Sequence, residues 1–242
     1  MLEIACIVEP GIKYPANDDR VAVNKKLIAQ GSFSETTDTS CLTVICDGVG
    51  GEAFGNEAAE IVTNIFSRLA GTNLTVDIIN EYIVKVNEAV ISAQKIDYKH
   101  SRMSTTVAGL YINKEDYISF NVGDTRIYRY RSYLSQISKD HSLREERINS
   151  GLPAIPGQEN IITRYIGGMN AIPEIVNGTG RVLDKDVFVL CTDGVWGVLQ
   201  DNDFEIVLSK KDKTERACQA LIDLALQKKS KDNLSIIIVR KV

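Results

Sequence analysis

Apolar residues recur along the chain in two rhythms. Short apolar runs bounded by polar or turn-forming residues predict strands at Glu3–Val8, Val21–Ala29, Leu42–Cys46, Thr105–Tyr111, Tyr117–Val122, Ile127–Tyr130, Val187–Cys191 and Leu234–Val239. Leu42–Cys46, Val187–Cys191 and Leu234–Val239 are nearly continuous, the pattern of strands buried on both faces. Tyr117–Val122 alternates, with Ile118, Phe120 and Val122 on one face and Tyr117, Ser119 and Asn121 on the other. Asn113–Asp116 supplies a hairpin turn before it. A helical period runs through Glu52–Leu69, placing Phe54, Ala58, Ile61, Ile65 and Leu69 on one face. It returns in Val76–Ile96 through Ile79, Ile83, Val86, Val90 and Ala93, and more weakly near Ser142–Asn149, Asp201–Ser209 and Thr214–Lys228.

Two helices in succession, then strands, then more helices do not form a βαβ alternation. That order predicts an α+β fold with antiparallel sheets and helices packed outside. No repeat, low-complexity tract or Pro/Gly-rich linker divides the chain, so residues 1–242 read as a single domain. The balance of 28 basic and 32 acidic residues, net −4, lacks the basic excess of a nucleic-acid or anionic-membrane surface. No apolar run reaches the roughly 20 residues of a membrane span, and Met1–Glu9 lacks the basic start of a signal peptide. Cys6, Cys41, Cys46, Cys191 and Cys218 form no C-x-x-C pair and read as buried, reduced thiols. The expected location is the cytoplasm, where the N-x-S/T triplets at Asn73, Asn177 and Asn233 have no role.

Acidic residues collect at the strand tips. Asp18 and Asp19 precede the strand at Val21. Asp47 follows Cys46, Asp124 follows Val122, Asp193 follows Cys191, and Asp232 precedes Leu234. In antiparallel sheets the start of one strand lies beside the end of its neighbour, so these carboxylates are expected on one rim. Any one of them alone is better read as a turn residue or helix cap. Together they need cations, and an all-oxygen donor set favours Mg²⁺ or Mn²⁺. Gly48–Ala53 has the outline G-x-G-x-x-A of a dinucleotide turn, but the helix after it leads to another helix rather than a parallel strand, which rejects that reading.

Taken together, Asn17-Asp18-Asp19-Arg20, Asp47-Gly48-Val49-Gly50-Gly51, Ser104-Thr105-Thr106, Gly123-Asp124-Thr125-Arg126, Asp140-His141-Ser142, Thr163-Arg164-Tyr165-Ile166-Gly167-Gly168, Thr192-Asp193-Gly194 and Asp232-Asn233 resemble, in order, the motifs of the 2C-type metal-dependent protein serine/threonine phosphatases, compact bacterial members in particular. The resemblance implies a four-layer α-β-β-α sandwich, two mostly antiparallel sheets flanked by helix pairs, with a two-metal centre at one end. It implies that Asp47 bridges both ions, that the Gly48 carbonyl binds one, and that Asp193 and Asp232 bind the other. Asp19 would act directly or through water, Asp18 would hold a metal-bound water, and Asp124 with Asp193 would match a third-metal site. Asp18, Asp47 and Asp193 are thus the candidate catalytic residues. Two such ions would lower the pKa of a shared water, for attack on phosphorus in line with the departing serine or threonine oxygen.

The sequence departs from the family pattern in three places. Tyr14 stands where many members have a phosphate-gripping Arg; the neighbouring Lys13 is the candidate replacement, without a guanidinium's bidentate contact. Asp18 stands where Glu is commoner, and Val49 replaces a His proposed as general acid in eukaryotic relatives. The implied partners are phosphoprotein substrates and a serine/threonine kinase or its targets, with no nucleic acid or membrane and a monomeric chain. A non-catalytic phosphoprotein-binding module on the same fold, and a hydrolase of small phosphate esters, are the alternatives. His141 with Asp140 reads as a structural pair, Trp196 as core packing, and Arg126, Arg129 and Arg131 as a solvated face. The lysines flanking the last long helix, including Lys228, read as solubilising charge.

Overall fold

The computed structural model describes residues 1–12, 16–38, 40–49, 54–156, 158, 161–177, 181–210 and 212–242, with side chains omitted at 175–177. Two six-stranded sheets carry the fold. The first has the order β11(Leu134–Gln136), β10(Arg126–Tyr130), β13(Val187–Cys191), β14(Leu234–Lys241), β1(Leu2–Glu9), β4(Gly31–Thr37). The second has the order β12(Glu174–Asn177), β9(Asp116–Val122), β8(Val107–Asn113), β5(Cys41–Cys46), β2(Arg20–Val23), β3(Lys26–Ile28). Every pairing in both is antiparallel. A short ladder of β6(Gly48–Val49) with β7(Ser104–Thr105) closes one end.

Three apolar layers hold these elements. Between the sheets lie Ile4, Cys6, Val8, Val21, Ile45, Leu110, Tyr117, Phe188, Leu190 and Ile237, with Tyr117 and Phe188 edge to face at 4.9 Å. Outside the second sheet, α1(Gly55–Ser67) and α2(Val76–Gln94) pack against Val44, Val107, Phe120 and Val122. Outside the first, α5(Asp201–Leu208) and α6(Thr214–Gln227) pack on Ala5, Val189, Ile236 and Ile238. This is the expected four-layer α-β-β-α sandwich. Each such buried Phe, Ile or Leu contributes about 1.5–3 kcal/mol.

Several expectations change in detail. Val21–Ala29 is two strands, because the chain reverses at Asn24 and Lys25; Asn24 takes φ 51°, a left-handed conformation that Asn tolerates better than most residues. Thr105–Tyr111 divides into β7 and β8 at Thr106. The first helix starts at Gly55 rather than Glu52, since Phe54 has φ 90°; Glu52 itself lies outside the described residues. Its buried stripe is Ala58, Ala59, Val62 and Phe66, with Ile61 and Ile65 only half-buried, so the predicted face is rotated. In α2, Ile79, Ile83, Val86 and Val90 are buried as predicted, and the helix ends at Gln94. The polar face of β9 is also interior: Ser119 and Asn121 are buried. Arg126 and Arg131 do not form a free solvated face; they pair with Asp140 and with fully buried Asp186, both at 2.7 Å. Lys228 pairs with Asp203, and Lys211 lies outside the described residues. All five cysteines are free and buried, and among the described residues no helix is long and apolar enough to cross a membrane.

Candidate metal centre

Strand register determines where the acidic residues meet. In the second sheet Arg20 faces Cys46, so Asp19 and Asp47 each stand one residue beyond the same ladder rung. Ile45 faces Ala108 and Val107 faces Val122, which brings the Asp124 loop to that same end. In the first sheet Cys191 faces both Arg126 and Ile236, so Asp193 emerges between the Asp124 loop and the Asp232 loop. A bond across the sandwich joins the two rims: Thr192 Oγ1 donates to Asp19 Oδ2 at 3.0 Å and accepts from Ser235 N–H at 3.2 Å.

The loops are fixed by their own polar side chains. Asn17 Oδ1 accepts from Asp19 N–H at 3.0 Å, and Asn233 Oδ1 accepts from Asp18 N–H at 2.9 Å. Asp18 Oδ1 accepts from Asn56 N–H at the start of α1, at 3.2 Å. The Asp47 carbonyl accepts from Thr105 Oγ1 and from Thr106 N–H, both at 2.8 Å. Gly48 heads β6 and pairs with Thr105. Asp193 opens the short helix α4(Asp193–Trp196) instead of ending a strand. There Gly194 permits a close approach, since a Cβ on it would stand 1.9 Å from the Asn233 carbonyl oxygen.

Burial and mutual repulsion dominate the electrostatics. Asp19 is 1% and Asp124 3% exposed. Asp19 is pushed up to about 7 by burial first, with the Asp193 and Asp232 charges adding. Asp124 is pushed up to about 7 by burial, then by Asp193 and Asp140. Asp47 lies well above the usual carboxylate range, through burial and then Asp19, Asp193, Asp124 and Asp232. Asp193 rises to about 6, through burial and then Asp232, and burial also raises Asp18. Among the described residues no three Asp, Glu, His or Cys side chains form a closed ligand cage. Burial and crowding push these carboxyls towards protonation, and a hard divalent cation would offset their repulsion. Asp19 Oδ1, buried and without a hydrogen-bond partner, is a donor atom free for one. The donor set fits Mg²⁺ or Mn²⁺.

The description "Protein phosphatase 2C" matches residues 24–235. The chain belongs to the protein phosphatase 2C family. The serine/threonine phosphatase stp of Listeria monocytogenes serotype 4b (strain F2365) is 23% identical over 224 residues, covering 87% of this chain and 88% of its own. The crystal structure of the serine/threonine phosphatase Stp1 from Staphylococcus aureus superposes with TM-score 0.86 at 24% identity, covering 100% of this chain and 96% of that one. The catalytic domain of serine threonine protein phosphatase PstP in complex with 2 manganese ions superposes with TM-score 0.82 at 20% identity, covering 99% of each chain.

Within this 2C phosphatase, Asp18, Asp19, Asp47, Gly48, Asp124, Asp193 and Asp232 therefore meet at one end of the sandwich, while Lys13, Tyr14 and residues 50–53 lie outside the described residues. His141 is structural: its Nδ1 accepts from Gly123 N–H at 3.0 Å, and burial first, then Arg164, lowers it to about 4. Asp140 grips Arg126, whose guanidinium lies 3.6 Å over the half-buried Trp196 ring. Sequence reasoning assigned no role to Asn17, Thr105, Thr106, Thr192 or Asn233. All five lie inside the quoted motifs, and their proximity to the acids was the only available signal.

Proposed function

We propose that residues 1–242 act as one phosphatase domain that hydrolyses phosphoserine and phosphothreonine in proteins, using two Mg²⁺ or Mn²⁺ ions to activate water. The observation that carries this is the meeting of Asp19, Asp47, Asp193 and Asp232 from both sheets, where burial and neighbouring charge push Asp19, Asp47 and Asp193 towards protonation. Asp47 would bridge the ions and the Gly48 carbonyl would bind one. Asp193 and Asp232 would hold the other, with Asp19 acting directly or through water, and Asp124 with Asp193 would take a third. When bound, the ions supply a water of lowered pKa and offset charge on the phosphoryl oxygens. The protein's own part is placement. Thr192 orients Asp19, the threonines of β7 and its exit hold the Asp47 main chain, and Asn56 with Asn233 fixes Asp18 to accept a hydrogen bond from the attacking water.

A protein substrate suits the surface beside this end. Residues between His141 and Thr163 continue directly from the Asp124 loop, because Gly123 bonds His141 and His141 bonds Thr163. They expose Ile148, Leu152, Ile155 and Ile161, apolar contacts for a polypeptide rather than for a small phosphate ester. Lys13 and Tyr14 would meet the phosphate. The substrates would be phosphoproteins made by a serine/threonine kinase, with the phosphatase acting as a monomer; five free buried thiols fit the reducing cytoplasm. The test is hydrolysis of a phosphothreonine peptide with Mn²⁺, with EDTA, and by Asp193→Asn. Metal-dependent turnover lost in the variant is expected. Turnover that survives EDTA, or tight Mn²⁺ binding without turnover, overturns the proposal.

A further inference from the structure

Thr106 stands in the break between β7 and β8, fully buried, and touches both loops that carry Asp47 and Asp124. Its Oγ1 accepts from Asp47 N–H at 3.1 Å and lies 2.6 Å from Thr125 Oγ1. Its main-chain N–H donates to the Asp47 carbonyl at 2.8 Å. Its methyl occupies the space where a side chain on Gly123 would go: a Cβ there would stand 2.6 Å from Thr106 Cγ2. Gly123 has φ 115°, a conformation open to glycine. One small side chain thus holds Asp47 by its amide and contacts both residues flanking Asp124. Its hydroxyl is not part of a sheet ladder, so fold packing alone asks only for a residue of this volume. Valine would supply that volume and leave the Asp47 amide and the Thr125 hydroxyl without their partner.

We infer that Thr106 is a positioning residue that fixes Asp47 relative to Asp124 through its hydroxyl, so that the ion sites they serve share one rigid frame. This rests on the proposed metal-dependent phosphatase. The test compares wild type with Thr106→Val and Thr106→Ser by Mn²⁺ calorimetry on EDTA-treated protein, by kinetics on a phosphothreonine peptide, and by thermal unfolding in EDTA. For Thr106→Val, Mn²⁺ affinity is expected to fall by about 10–100-fold and kcat to fall with it, while KM for the peptide at saturating Mn²⁺ stays near wild type and the two unpartnered groups lower the unfolding temperature by several degrees. Thr106→Ser keeps the hydroxyl and is expected to retain the affinity to within about threefold. Wild-type Mn²⁺ affinity in Thr106→Val, or an equal loss in Thr106→Ser, overturns the inference. Should Thr106→Val not fold, Thr125→Val carries the test, since it leaves the Asp47 bond intact. A several-fold loss of Mn²⁺ affinity is then expected, and unchanged binding overturns the inference. A wild type that binds Mn²⁺ but hydrolyses nothing defeats the phosphatase proposal alone, because calorimetry still decides the role of Thr106. A wild type that binds no Mn²⁺ defeats both.

Discussion

Asp124→Asn is expected to make the metal-free protein more stable. In the folded chain the Asp124 carboxyl is raised from its ordinary 3.8 to about 7, by burial first and then by Asp193 and Asp140. Between those two values the folded state keeps a proton that the unfolded chain has released, so stability falls as pH rises through that window. At about 1.36 kcal/mol per unit, the deficit from this one group is about 1.5 kcal/mol at pH 5 and about 4 kcal/mol at pH 8. The upper figure is a ceiling, because ionisation of Asp193 in the same range is part of the repulsion. Asparagine never ionises and keeps nearly the same shape. In a chain of 242 residues, where 1 kcal/mol moves Tm by about 2–4 °C, the variant in EDTA is expected to melt up to about 8–16 °C above wild type at pH 8 and about 3–6 °C above it at pH 5. The assay is thermal unfolding at the two pH values, with EDTA and again with excess Mn²⁺. If Asp124 holds an ion, Mn²⁺ narrows or reverses the gap at pH 8, since bound metal stabilises wild type more. Equal melting temperatures at both pH values in EDTA, or a variant that melts lower at pH 8, would refute the reasoning.

Other changes test the frame around the site. Gly194→Ala puts a Cβ 1.9 Å from the Asn233 carbonyl oxygen, and is expected to cost about 1–3 kcal/mol or more in denaturant unfolding. Arg126→Lys exchanges three contacts to Asp140, at 3.1, 3.0 and 2.7 Å, and the stack on Trp196 for one ammonium, so a loss of about 1–3 kcal/mol is expected by the same measurement. All five cysteines are buried and Cys6 is pushed up to about 12, so a thiol reagent at pH 8 is expected to label none in the native protein and all of them in guanidinium.

The parts of the fold legible in the sequence are those whose burial is one-sided or complete. Leu42–Cys46, apart from Thr43, and Val187–Cys191 are apolar throughout because a layer lies on each face. The stripe of α2 is readable because its other side is wet. β4 is not, since it is an edge strand in which Phe33 is the single large apolar residue. The face of α1 is rotated from the predicted one because Ala59, Val62 and Phe66, beside the predicted Ala58, carry the contact assigned to Ile61 and Ile65. Ion pairs such as Arg131 with Asp186 join positions far apart in the chain, which no local pattern encodes.

The site was readable for a different reason. Each of its acids lies within two residues of a strand end, so the antiparallel register that aligns apolar residues also aligns the carboxylates. What register cannot encode is how charges at adjacent strand ends are kept in place without a cation, and here the neutral side chains act. Thr192 ties Asp19 to the opposite sheet, Asn233 ties Asp18 to the Asp232 loop, and Thr106 ties Asp47 to the Asp124 loop. Each bond crosses between loops in which one carboxylate's charge raises another's pKa: Asp193 on Asp19, Asp232 on Asp18 and Asp124 on Asp47. These bonds hold the two rims together against that repulsion, and the proposed divalent cations would relieve it.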